Sequence, residues 1–367
     1  MVTCTLHNTK RKGQTILNQT EAMNYLITGG CGFIGTALVN RIRNEQPNSK
    51  IRVLDNLSVG SRDDLAKVCR FEEISCPQLG LNPELNHHQL VIEDIKDPNV
   101  CMLSCRNIDV IVHLAANTGV GPSVENPRYD MESNVIGTFN MLEAAKNQKV
   151  ARFIFASSGA PIGEVEPPIH EKLAPRPVSP YGASKLAGEG YCAAYYRSFG
   201  IKTTALRFGN VYGPGSTHKS SVVAKFIKQA LNDIQCEIFG DGFQTRDFIY
   251  IDDLTEAILQ VAIFPEFEDN GQLISPHPWG EVFQIATNHG HTVNELAEEL
   301  KEALSNHGIS LKIVYGEPRV GDVLRNFSDT TKAKTVLGWQ AKTSLGKGLE
   351  RTVDCFLFED NRRFHIR

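Results

Sequence analysis

A glycine-rich turn near the start of the chain constrains the fold more than any other sequence feature. The apolar run Tyr25–Thr28 leads into Gly-Gly-Cys-Gly-Phe-Ile-Gly at 29–35, and a helical pattern follows. Glycines between a strand and a helix allow a tight turn, a close approach of backbone to a pyrophosphate, and packing of the helix on the sheet. The helix N-terminus then offers free N–H groups to phosphate. The turn predicts a dinucleotide site. Its candidate contacts are Gly29, Gly32, Phe33, Ile34 and Gly35.

An acidic residue lies at the spacing that such a turn requires. Asp55 ends the apolar run Ile51–Asp55, about 20 positions after the glycines. A carboxylate there accepts hydrogen bonds from the hydroxyls of an adenosine ribose and repels a 2′-phosphate, so NAD is favoured over NADP as the cofactor. The alternative is a glycine turn with an unrelated aspartate at the end of a strand.

Short apolar runs alternate with amphipathic segments through the first half of the chain. This alternation predicts βα units with right-handed crossovers and a parallel sheet. The predicted fold class is therefore α/β, with a doubly wound sheet of the Rossmann type. Strands are predicted at Tyr25–Thr28, Ile51–Asp55, Gln89–Ile92, Val110–Leu114, Phe153–Ala156 and Thr203–Arg207, and helices at Gly35–Asn44 and Gly137–Gln148. The segment Leu65–Leu90 is rich in loop-forming residues and gives no clear pattern.

The pattern changes after Gly213, where helices and short strands interleave. Helices are predicted at Ser221–Leu231, Thr255–Val261 and Val293–Ala303, and strands at Glu237–Phe239, Asp247–Ile251 and Leu311–Tyr315. The predicted domains are an NAD-binding domain over 23–213, to which 247–262 returns, and a smaller C-terminal α/β substrate lobe over 214–246 and 263–367. Residues 1–22 are polar and are expected to form a poorly ordered tail rather than a signal peptide.

Composition narrows the class of protein further. The formal net charge of the 367 residues is -4, which gives no indication of a nucleic-acid or membrane partner. No apolar run reaches the length of about 18 residues that suggests a membrane-spanning helix. The nine cysteines show neither a disulfide framework nor metal-ligand spacing. We therefore expect a cytoplasmic protein without a metal site.

Two predicted strand ends offer further contacts to a dinucleotide. The residues concerned are Asp94 and Ile95 after one strand, and Leu114, Ala115 and Ala116 at the end of the next. The acid and its apolar neighbour suit the amino group and ring face of an adenine, although a surface aspartate is the plain alternative. The small residues let the backbone come close to a cofactor. His113, just before them, is interpreted as a packed strand residue rather than a base.

The strongest chemical signal is a tyrosine and a lysine one helical turn apart. Ser179 suits the N-cap of a helix that begins at Pro180, which places Tyr181 and Lys185 on one face. An ammonium near the phenol, together with an oriented cofactor charge, is expected to lower its pKa from about 10 toward neutral pH, where a general base works best. Ser158 follows a predicted strand at the sheet edge where ligands bind, so its hydroxyl is expected to hold the reacting oxygen beside the phenol.

Together these elements resemble the extended short-chain dehydrogenase/reductase family, and within it the NAD-dependent nucleotide-sugar epimerases and dehydratases. The resemblance runs over about 24–353 and is carried by TGGCGFIG, PYGASKLAGE, LRFGNVYGPG, FGDGFQTRDFIYIDDL, and PRVGDV with LGW. It implies an enzyme similar to UDP-glucose 4-epimerase with bound NAD, in which Ser158, Tyr181 and Lys185 are catalytic. It also implies that Asn56, Thr118, Asn134, Tyr181, Lys185 and Phe208 contact the cofactor.

The resemblance implies a UDP-activated sugar as the partner and supplies positions for it. Besides Ser158 these are Asn210, Phe239, Arg246, Arg319, Asp322 and Asn326. The arginines and Asn210 are expected on the diphosphate, since guanidinium groups suit phosphate oxygens. Phe239 is expected near the base and Asp322 on the ribose; for the arginines, surface solvation is the alternative interpretation. At Asn326 a side chain smaller than tyrosine predicts room for an N-acetyl group on the sugar.

The residues after Ser158 favour epimerisation at C4 through a transient 4-keto sugar. Dehydratases and decarboxylases of the family use an additional carboxylate there, whereas Gly159 and Ala160 have no group that transfers a proton. Whether Glu164, a few residues on, reaches the site is left open. A dehydratase, decarboxylase or reductase is the first alternative, and a non-catalytic dinucleotide-binding protein is the second.

Two positions depart from the family pattern, and one further property comes with the resemblance. Ile162 stands where an aromatic residue is common, and Gly209 replaces an aromatic residue near the nicotinamide, so a reshaped sugar pocket is predicted. The resemblance implies a homodimer joined by helices near Val135–Asn147 and Tyr181–Ser198. The apolar stretches of these helices would equally suit burial within a monomer.

Overall fold

The computed structural model describes residues 22–82, 84–268, 271–318 and 324–364, with side chains up to Phe358. The prediction of a poorly ordered tail at 1–22 therefore lies outside the described residues, except for Ala22. The candidate substrate residues Arg319 and Asp322 also lie outside them.

Strands and helices alternate along most of the described chain. The strands are β1 (Asn24–Thr28), β2 (Lys50–Asp55), β3 (Glu72–Glu73), β4 (Gln89–Ile92), β5 (Val110–His113), β6 (Arg152–Ser158), β7 (Lys202–Phe208), β8 (Asn210–Tyr212), β9 (Cys236–Phe239), β10 (Thr245–Arg246), β11 (Phe248–Tyr250), β12 (Glu281–Ile285), β13 (His291–Thr292) and β14 (Ile313–Gly316). The helices are α1 (Phe33–Glu45), α2 (Arg62–Val68), α3 (Cys76–Leu81), α4 (Pro98–Ser104), α5 (Val120–Glu125), α6 (Pro127–Met131), α7 (Gly137–Asn147), α8 (Pro180–Phe199), α9 (Val222–Leu231), α10 (Ile251–Ala262), α11 (Val293–Ser305) and α12 (Leu345–Phe364), with π-helical turns at Glu132–Ile136 and Ala333–Leu337.

Eight parallel strands form the central sheet in the order β12-β7-β6-β5-β1-β2-β4-β3. The inner strands β1 and β2 are buried along almost their whole length, because both faces of the sheet are covered, and this explains their continuous apolar sequences. The direction of strand order reverses at β1, between β2 on one side and β5 on the other. Ligands of doubly wound sheets bind in the crevice at such a reversal. The predicted fold class is confirmed.

Helix α8, which carries the predicted tyrosine and lysine, begins where the sequence indicated. The Ser179 hydroxyl oxygen accepts a hydrogen bond from the Gly182 N–H at 3.1 Å, and Pro180 occupies the first helical position. The helix ends at Gly200, whose φ of 74° is the left-handed conformation that terminates many helices. It packs against β6 and β7, so its first turn lies beside the carboxyl end of β6.

Several parts of the structure were not predicted, among them short helices such as α4, α5 and α6 and the three parts that follow. Strand β12 adds an eighth strand to the edge of the sheet beside β7. Helix α12 buries Leu345, Leu349, Val353 and Phe356 along one face. The segment Leu65–Leu90, left without elements, contains the end of α2 together with β3 and α3.

The second half of the chain shares its hydrophobic core with the first. Strand pairs β8·β11 and β9·β14 are parallel, and β10·β13 is antiparallel. Helix α10 packs against α1, and Arg41 Nε donates a hydrogen bond to Thr255 Oγ1 at 2.9 Å. One cluster of buried side chains includes Tyr25, Trp339 and Phe356. The segment predicted to return to the NAD-binding domain therefore lies against it, while the domain boundaries stay a prediction.

Candidate active site

A cavity of about 640 Å³ opens at the carboxyl ends of the central strands, where the strand order reverses. The glycine turn, the ends of β2, β5 and β6, and the first turns of α8 all contribute to its wall. The sequence-predicted residues that line it are Gly29, Gly32, Phe33, Ile34, Gly35, Asp55, Asn56, Asp94, Ile95, Leu114, Ala115, Ala116, Thr118, Ser158, Tyr181, Lys185 and Phe208. The structure thus brings the candidate cofactor residues and the candidate catalytic residues to one cavity.

The turn before α1 requires glycine at two positions. Gly29 has a φ of 69°, in the left-handed region. A Cβ added at Gly35 would lie 2.4 Å from the Gly29 carbonyl oxygen and 2.5 Å from the Cα of Gly30. The N-cap of α1 is Gly32, which has no side chain to bond the free N–H groups of the first turn. These N–H groups and the positive end of the helix dipole suit an anion.

Asp55, at the end of β2, is hydrogen-bonded to the glycine turn. Its Oδ2 accepts a hydrogen bond from the Cys31 N–H at 2.9 Å, and its Oδ1 accepts one from the Leu57 N–H at 2.8 Å. Burial raises the pKa of Asp55, and these two hydrogen bonds lower it in part. A carboxylate has about four acceptor positions, so the group that fixes the turn retains acceptors for a ligand in the cavity.

His113 is a packed residue of β5, as interpreted from the sequence. Its Nδ1 lies 2.8 Å from Thr28 Oγ1 and its Nε2 lies 3.0 Å from Thr138 Oγ1. Burial, followed by the nearby Lys185 charge, lowers the pKa of His113 to about 3. The ring is therefore neutral at physiological pH and bridges two hydroxyls.

Ser158, Tyr181 and Lys185 form one group at the end of β6. Ser158 is the last residue of that strand and makes a side-chain hydrogen bond with Tyr181. The side chain of Lys185 is only 4% exposed. Its Nζ donates a hydrogen bond to the Ala156 carbonyl at 2.8 Å and lies 5.9 Å from the centroid of the Tyr181 ring. Two of the three ammonium protons remain for other partners.

The protein chain by itself does not lower the pKa of Tyr181, so the lowering expected from the lysine together with a cofactor charge stays a prediction. Burial raises the pKa of Tyr181 to about 12, the hydrogen bond to Ser158 lowers it in part, and the charge of Asp130 raises it. Burial also lowers the pKa of Lys185 to about 8, whereas nearby acids, first among them Asp130, raise it. Desolvation of the phenolate outweighs the effect of an ammonium that bonds a backbone carbonyl.

Asn134 lies behind the cavity wall rather than in it. Its Oδ1 accepts a hydrogen bond from the Asn117 N–H at 2.7 Å, and its Nδ2 donates to the Asn117 carbonyl at 2.9 Å. Asn117 itself lines the cavity. Asn134 thus holds the loop that follows β5, and its contact with a cofactor stays a prediction.

Apart from Ser158, the described substrate candidates lie on the second half of the chain, outside the lining of this cavity. Asn210 begins β8, is exposed, and donates its N–H to the Asp247 carbonyl at 2.7 Å. Phe239 and Arg246 are half-buried on β9 and β10. Asn326 donates its N–H to Thr245 Oγ1 at 3.1 Å. Asn326 therefore lies next to the strand that carries Arg246.

The departures from the family pattern have clear positions. Ile162 is fully buried, so it packs where an aromatic residue is common. Glu164 is exposed and is not among the residues that line the cavity, which answers the question left open above. Gly209 lines the cavity, and a Cβ there would lie 2.9 Å from the Asp247 carbonyl oxygen. Ala160 donates its N–H to Ser158 Oγ at 3.2 Å.

Sequence reasoning missed several residues of the wall. They include Ser58, Gly60, Asn117, Ser133, Val211 and Lys219. Lys219 adds a cation beside the glycine turn, with its Nζ 5.9 Å from the centroid of the Phe33 ring. Burial lowers the pKa of Lys219. It lies in a loop without periodicity, so the sequence carried no signal for it.

Comparison with known proteins supports the same assignment. The profile of the NAD dependent epimerase/dehydratase family matches residues 25–275, more than half of the chain. The chain belongs to this family. The prediction of family, fold and NAD dependence is therefore confirmed.

Several members of the family with similar sequence or structure are named as UDP-sugar epimerases, and others, such as a human protein 30% identical over 91% of this chain and 90% of its own length, as dTDP-D-glucose 4,6-dehydratases. A putative UDP-glucose 4-epimerase of Methanocaldococcus jannaschii is 34% identical over 90% of this chain and 97% of its own length. The UDP-glucose 4-epimerase of Thermotoga maritima, solved with UDP-glucose, has a TM-score of 0.78 and 34% identity, covering 92% of this chain and 99% of that one. The UDP-glucuronic acid 4-epimerase of Bacillus cereus, solved with UDP-glucuronic acid and NAD, has a TM-score of 0.76 and 29% identity, covering 92% and 100%.

None of the helices in the described ranges combines the length and the apolar character needed to cross a membrane.

Proposed function

We propose that this chain is an NAD-dependent 4-epimerase of UDP-activated sugars that works through a transient 4-keto sugar. One observation carries the proposal: Ser158, Tyr181 and Lys185 line the same cavity as the glycine turn and Asp55. The cavity therefore has a dinucleotide-binding end and an acid–base end. The named activities of the relatives from Thermotoga maritima and Bacillus cereus, which cover nearly the whole chain, support the choice of reaction.

The residues present fit NAD. The turn has no room for a Cβ at Gly35, where any other residue would displace the backbone of the turn. The first turn of α1, which has no side-chain cap, suits a pyrophosphate. Asp55 keeps acceptors for ribose hydroxyls. The backbone at Ala115 approaches the turn so closely that a Cβ on Gly29 would lie 2.8 Å from its nitrogen. The chemistry that bound NAD would supply is reversible hydride transfer, in which C4 of the sugar gives up a hydride and later receives one back.

The acid–base work falls to three side chains. Tyr181 accepts the proton of the sugar 4-hydroxyl and later returns it, while Ser158 donates a hydrogen bond to the same oxygen. Because burial raises the pKa of Tyr181 to about 12, proton acceptance near neutral pH depends on positive charge close to the phenol. Lys185 supplies such a charge. It lines the cavity, and its two remaining N–H groups suit the nicotinamide ribose.

We place the nucleotide and diphosphate on the second half of the chain. Asn210, Phe239, Arg246, Arg319, Asp322 and Asn326 are the proposed contacts, as the family resemblance implies. The position of Arg246 supports this, because its strand β10 is joined through Thr245 both to the Leu324 carbonyl at 2.9 Å and to the Asn326 N–H at 3.1 Å. The segments that carry Arg246 and Asn326 therefore meet at Thr245.

We further propose a cytoplasmic homodimer with an NAD-binding domain and a smaller substrate lobe. Three apolar residues are exposed: Ile136 in the π-helical turn before α7, Phe139 on α7 and Tyr191 on α8. The rings of Phe139 and Tyr191 lie 5.6 Å apart edge to face, so the two helices present one apolar surface. Such a surface suits a second copy of the same pair of helices.

The experiment is a substrate panel followed by mass spectrometry and NMR. UDP-glucose, UDP-N-acetylglucosamine and UDP-glucuronic acid are each incubated with the enzyme and NAD. Epimerisation inverts C4 and leaves the mass unchanged, whereas dehydration removes water and decarboxylation removes carbon dioxide. A product of lower mass, or no turnover of any UDP-sugar, would contradict the proposal. Turnover of UDP-N-acetylglucosamine tests the room expected at Asn326.

The variant Tyr181→Phe tests the assigned base. It is expected to lose a factor of about 10²–10⁴ in kcat, the usual contribution of a general acid–base group. Tyr191→Phe is the matched control, because Tyr191 lies on the same helix but is 39% exposed and outside the cavity. Equal kcat values for Tyr181→Phe and the control would remove Tyr181 from the mechanism.

A further inference from the structure

A buried carboxylate lies two residues before the π-helical segment at Glu132–Ile136. Asp130 on α6 is only 1% exposed. Its Oδ1 accepts a hydrogen bond from Asn134 Nδ2 at 2.9 Å. Its Oδ2 is buried and accepts no hydrogen bond from any residue in the described ranges. A buried polar atom without a partner is uncommon and calls for a reason.

The hydrogen bonds of Asn134 connect this acid to the catalytic helix. Asn134 Nδ2 also donates to Ser184 Oγ at 3.1 Å, and Ser184 Oγ donates to the Tyr181 carbonyl at 3.0 Å. Ser184 directly precedes Lys185 on α8, and α6 and the π-helical turn both pack against that helix. A π-helical turn inside a longer helix often marks a functional site. Here it places the amide between the acid and the first turns of α8.

We propose that Asp130 is a positioning residue for the reaction, the buried counter-ion that keeps Lys185 charged and aimed at the active site. The proposal rests on the proposed function, because that function gives Lys185 its role. No carboxylate was predicted here from the sequence. Asp130 does not line the cavity, so it acts through Lys185 and Tyr181 rather than on the sugar.

Among the acids that raise the pKa of Lys185, Asp130 has the largest effect. Burial lowers the pKa of Lys185 to about 8, and Asp130 is the first of the acids that raise it. Glu189 is the next, but both of its oxygens already accept from the guanidinium of Arg207 at 2.7 Å. The charge of Glu189 is thus neutralised locally, whereas the hydrogen-bond partners of Asp130, which are Asn134, Ser184 and Asn117, are all neutral.

The pKa of Asp130 is likewise set by burial on one side and by nearby groups on the other. Burial raises the pKa of Asp130, while hydrogen bonds and the charge of Lys185 lower it. On its own segment, Arg128 and Glu132 are exposed and form an ion pair at 3.7 Å. From α5 the nearest acid in sequence is Glu125, which is exposed. From α8 the titratable groups that interact with Asp130 are Lys185 and Tyr181.

The direction of a pH effect follows from these signs. The Asp130 charge raises the pKa of both Lys185 and Tyr181. Removal of the charge therefore lowers both values. The acid limb of the activity profile, where the phenol must lose its proton, moves to lower pH. The alkaline limb, where Lys185 loses its charge, also moves to lower pH.

The test is the pH dependence of kcat for the NAD-loaded Asp130→Asn enzyme. Asparagine has nearly the same shape and keeps a carbonyl oxygen for the Asn134 amide. Both limbs are expected to shift toward acid by about one pH unit, the size that a nearby charge commonly causes. Asp253→Asn is the matched control, because Asp253 is a buried acid on α10 whose Oδ2 accepts from the Thr343 N–H at 2.9 Å. The control is expected to leave both limbs in place.

A second readout separates this inference from the proposed function. The ¹³Cε signal of Lys185, assigned with Lys185→Met, is titrated in the wild type and in Asp130→Asn. Its midpoint is expected to fall by the same amount in the variant, whether or not any UDP-sugar turns over. Unchanged limbs and an unchanged midpoint would overturn the inference while wild-type epimerisation still stood. If neither Asp130→Asn nor Asp130→Leu folds, the acid serves stability and the inference is also overturned.

Discussion

At the scale of single residues, steric demand and electrostatic balance decide the site. The glycine turn has no room for Cβ atoms, because at Gly35 the nearest atoms belong to backbone rather than to flexible side chains. Asp55 is held by two backbone N–H groups, so its orientation does not depend on a ligand. At Tyr181 and Lys185 burial opposes the charged form of each group, and neighbouring charges set the balance.

Gly35→Ala is predicted to weaken NAD binding at least about tenfold, because the methyl group displaces the backbone at Gly29 and Gly30 from the position that admits a pyrophosphate. Isothermal titration with NAD measures the loss. Gly80→Ala is the control: nothing lies within 4 Å of its added Cβ, and in helix α3 the change is expected to stabilise by about 0.4–1 kcal/mol. Wild-type affinity in Gly35→Ala would show that the turn tolerates a side chain.

At the scale of elements, two helical segments meet at the end of β6 and supply the chemistry. Helix α8 carries Tyr181 and Lys185 in its first turns, so the position of its N-terminus sets where these side chains lie. The segment α6, π-helical turn and α7 carries Asp130 and Asn134, and the wider turn changes the direction of side chains partway along it. The geometry of the site therefore depends on where α8 begins and on the π-helical turn between α6 and α7.

Ser179→Ala is predicted to destabilise the protein by about 1 kcal/mol, because the N-cap hydrogen bond to Gly182 is lost. It is also predicted to lower kcat, since the first turn of α8 carries Tyr181. Ser221→Ala is a matched control, because Ser221 is the N-cap of α9 but makes no capping hydrogen bond. Thermal unfolding and steady-state kinetics measure both effects. Equal melting temperatures for the two variants would argue against the cap.

At the scale of the whole molecule, one core joins the parts and one apolar surface remains exposed. The buried cluster that includes Tyr25 on β1 also includes Leu349 and Phe356 on α12, so the second half of the chain folds onto the first. On the opposite face of the sheet a second cluster packs α4, α7 and α8. The outer side of α7 and α8 carries the exposed apolar residues that the proposed dimer would cover.

Phe139→Asp is predicted to weaken the dimer at least about tenfold, because it places a charge at the centre of an apolar interface. Sedimentation equilibrium over a range of protein concentrations gives the dissociation constants. Leu273→Asp is the control, since Leu273 is a more exposed apolar residue away from these helices. A wild-type protein that is monomeric at all concentrations would contradict the proposed dimer.

Much of the fold was predictable because its signals are local. The inner strands are continuous apolar runs, and the starts of α1 and α8 are marked by glycine, serine and proline at fixed positions. The catalytic candidates and the glycine turn were also predictable, since each has its own spacing. Strand β12 was missed although three of its five residues are apolar, because a short run separated from β7 by a long stretch of chain gives no local indication of its partner.

The sequence by itself determined the α/β class, the glycine turn with its aspartate, and the tyrosine–lysine pair, because these depend on residues near one another in the chain. Only the tertiary structure decided which way charges act on that pair. It set Asp130 and Asn134 against helix α8, brought Lys219 to the glycine turn, and buried Tyr181, which raises the pKa of its phenol. The physical reason is that desolvation and charge–charge interaction depend on distance in space, which the spacing of residues along the chain does not specify.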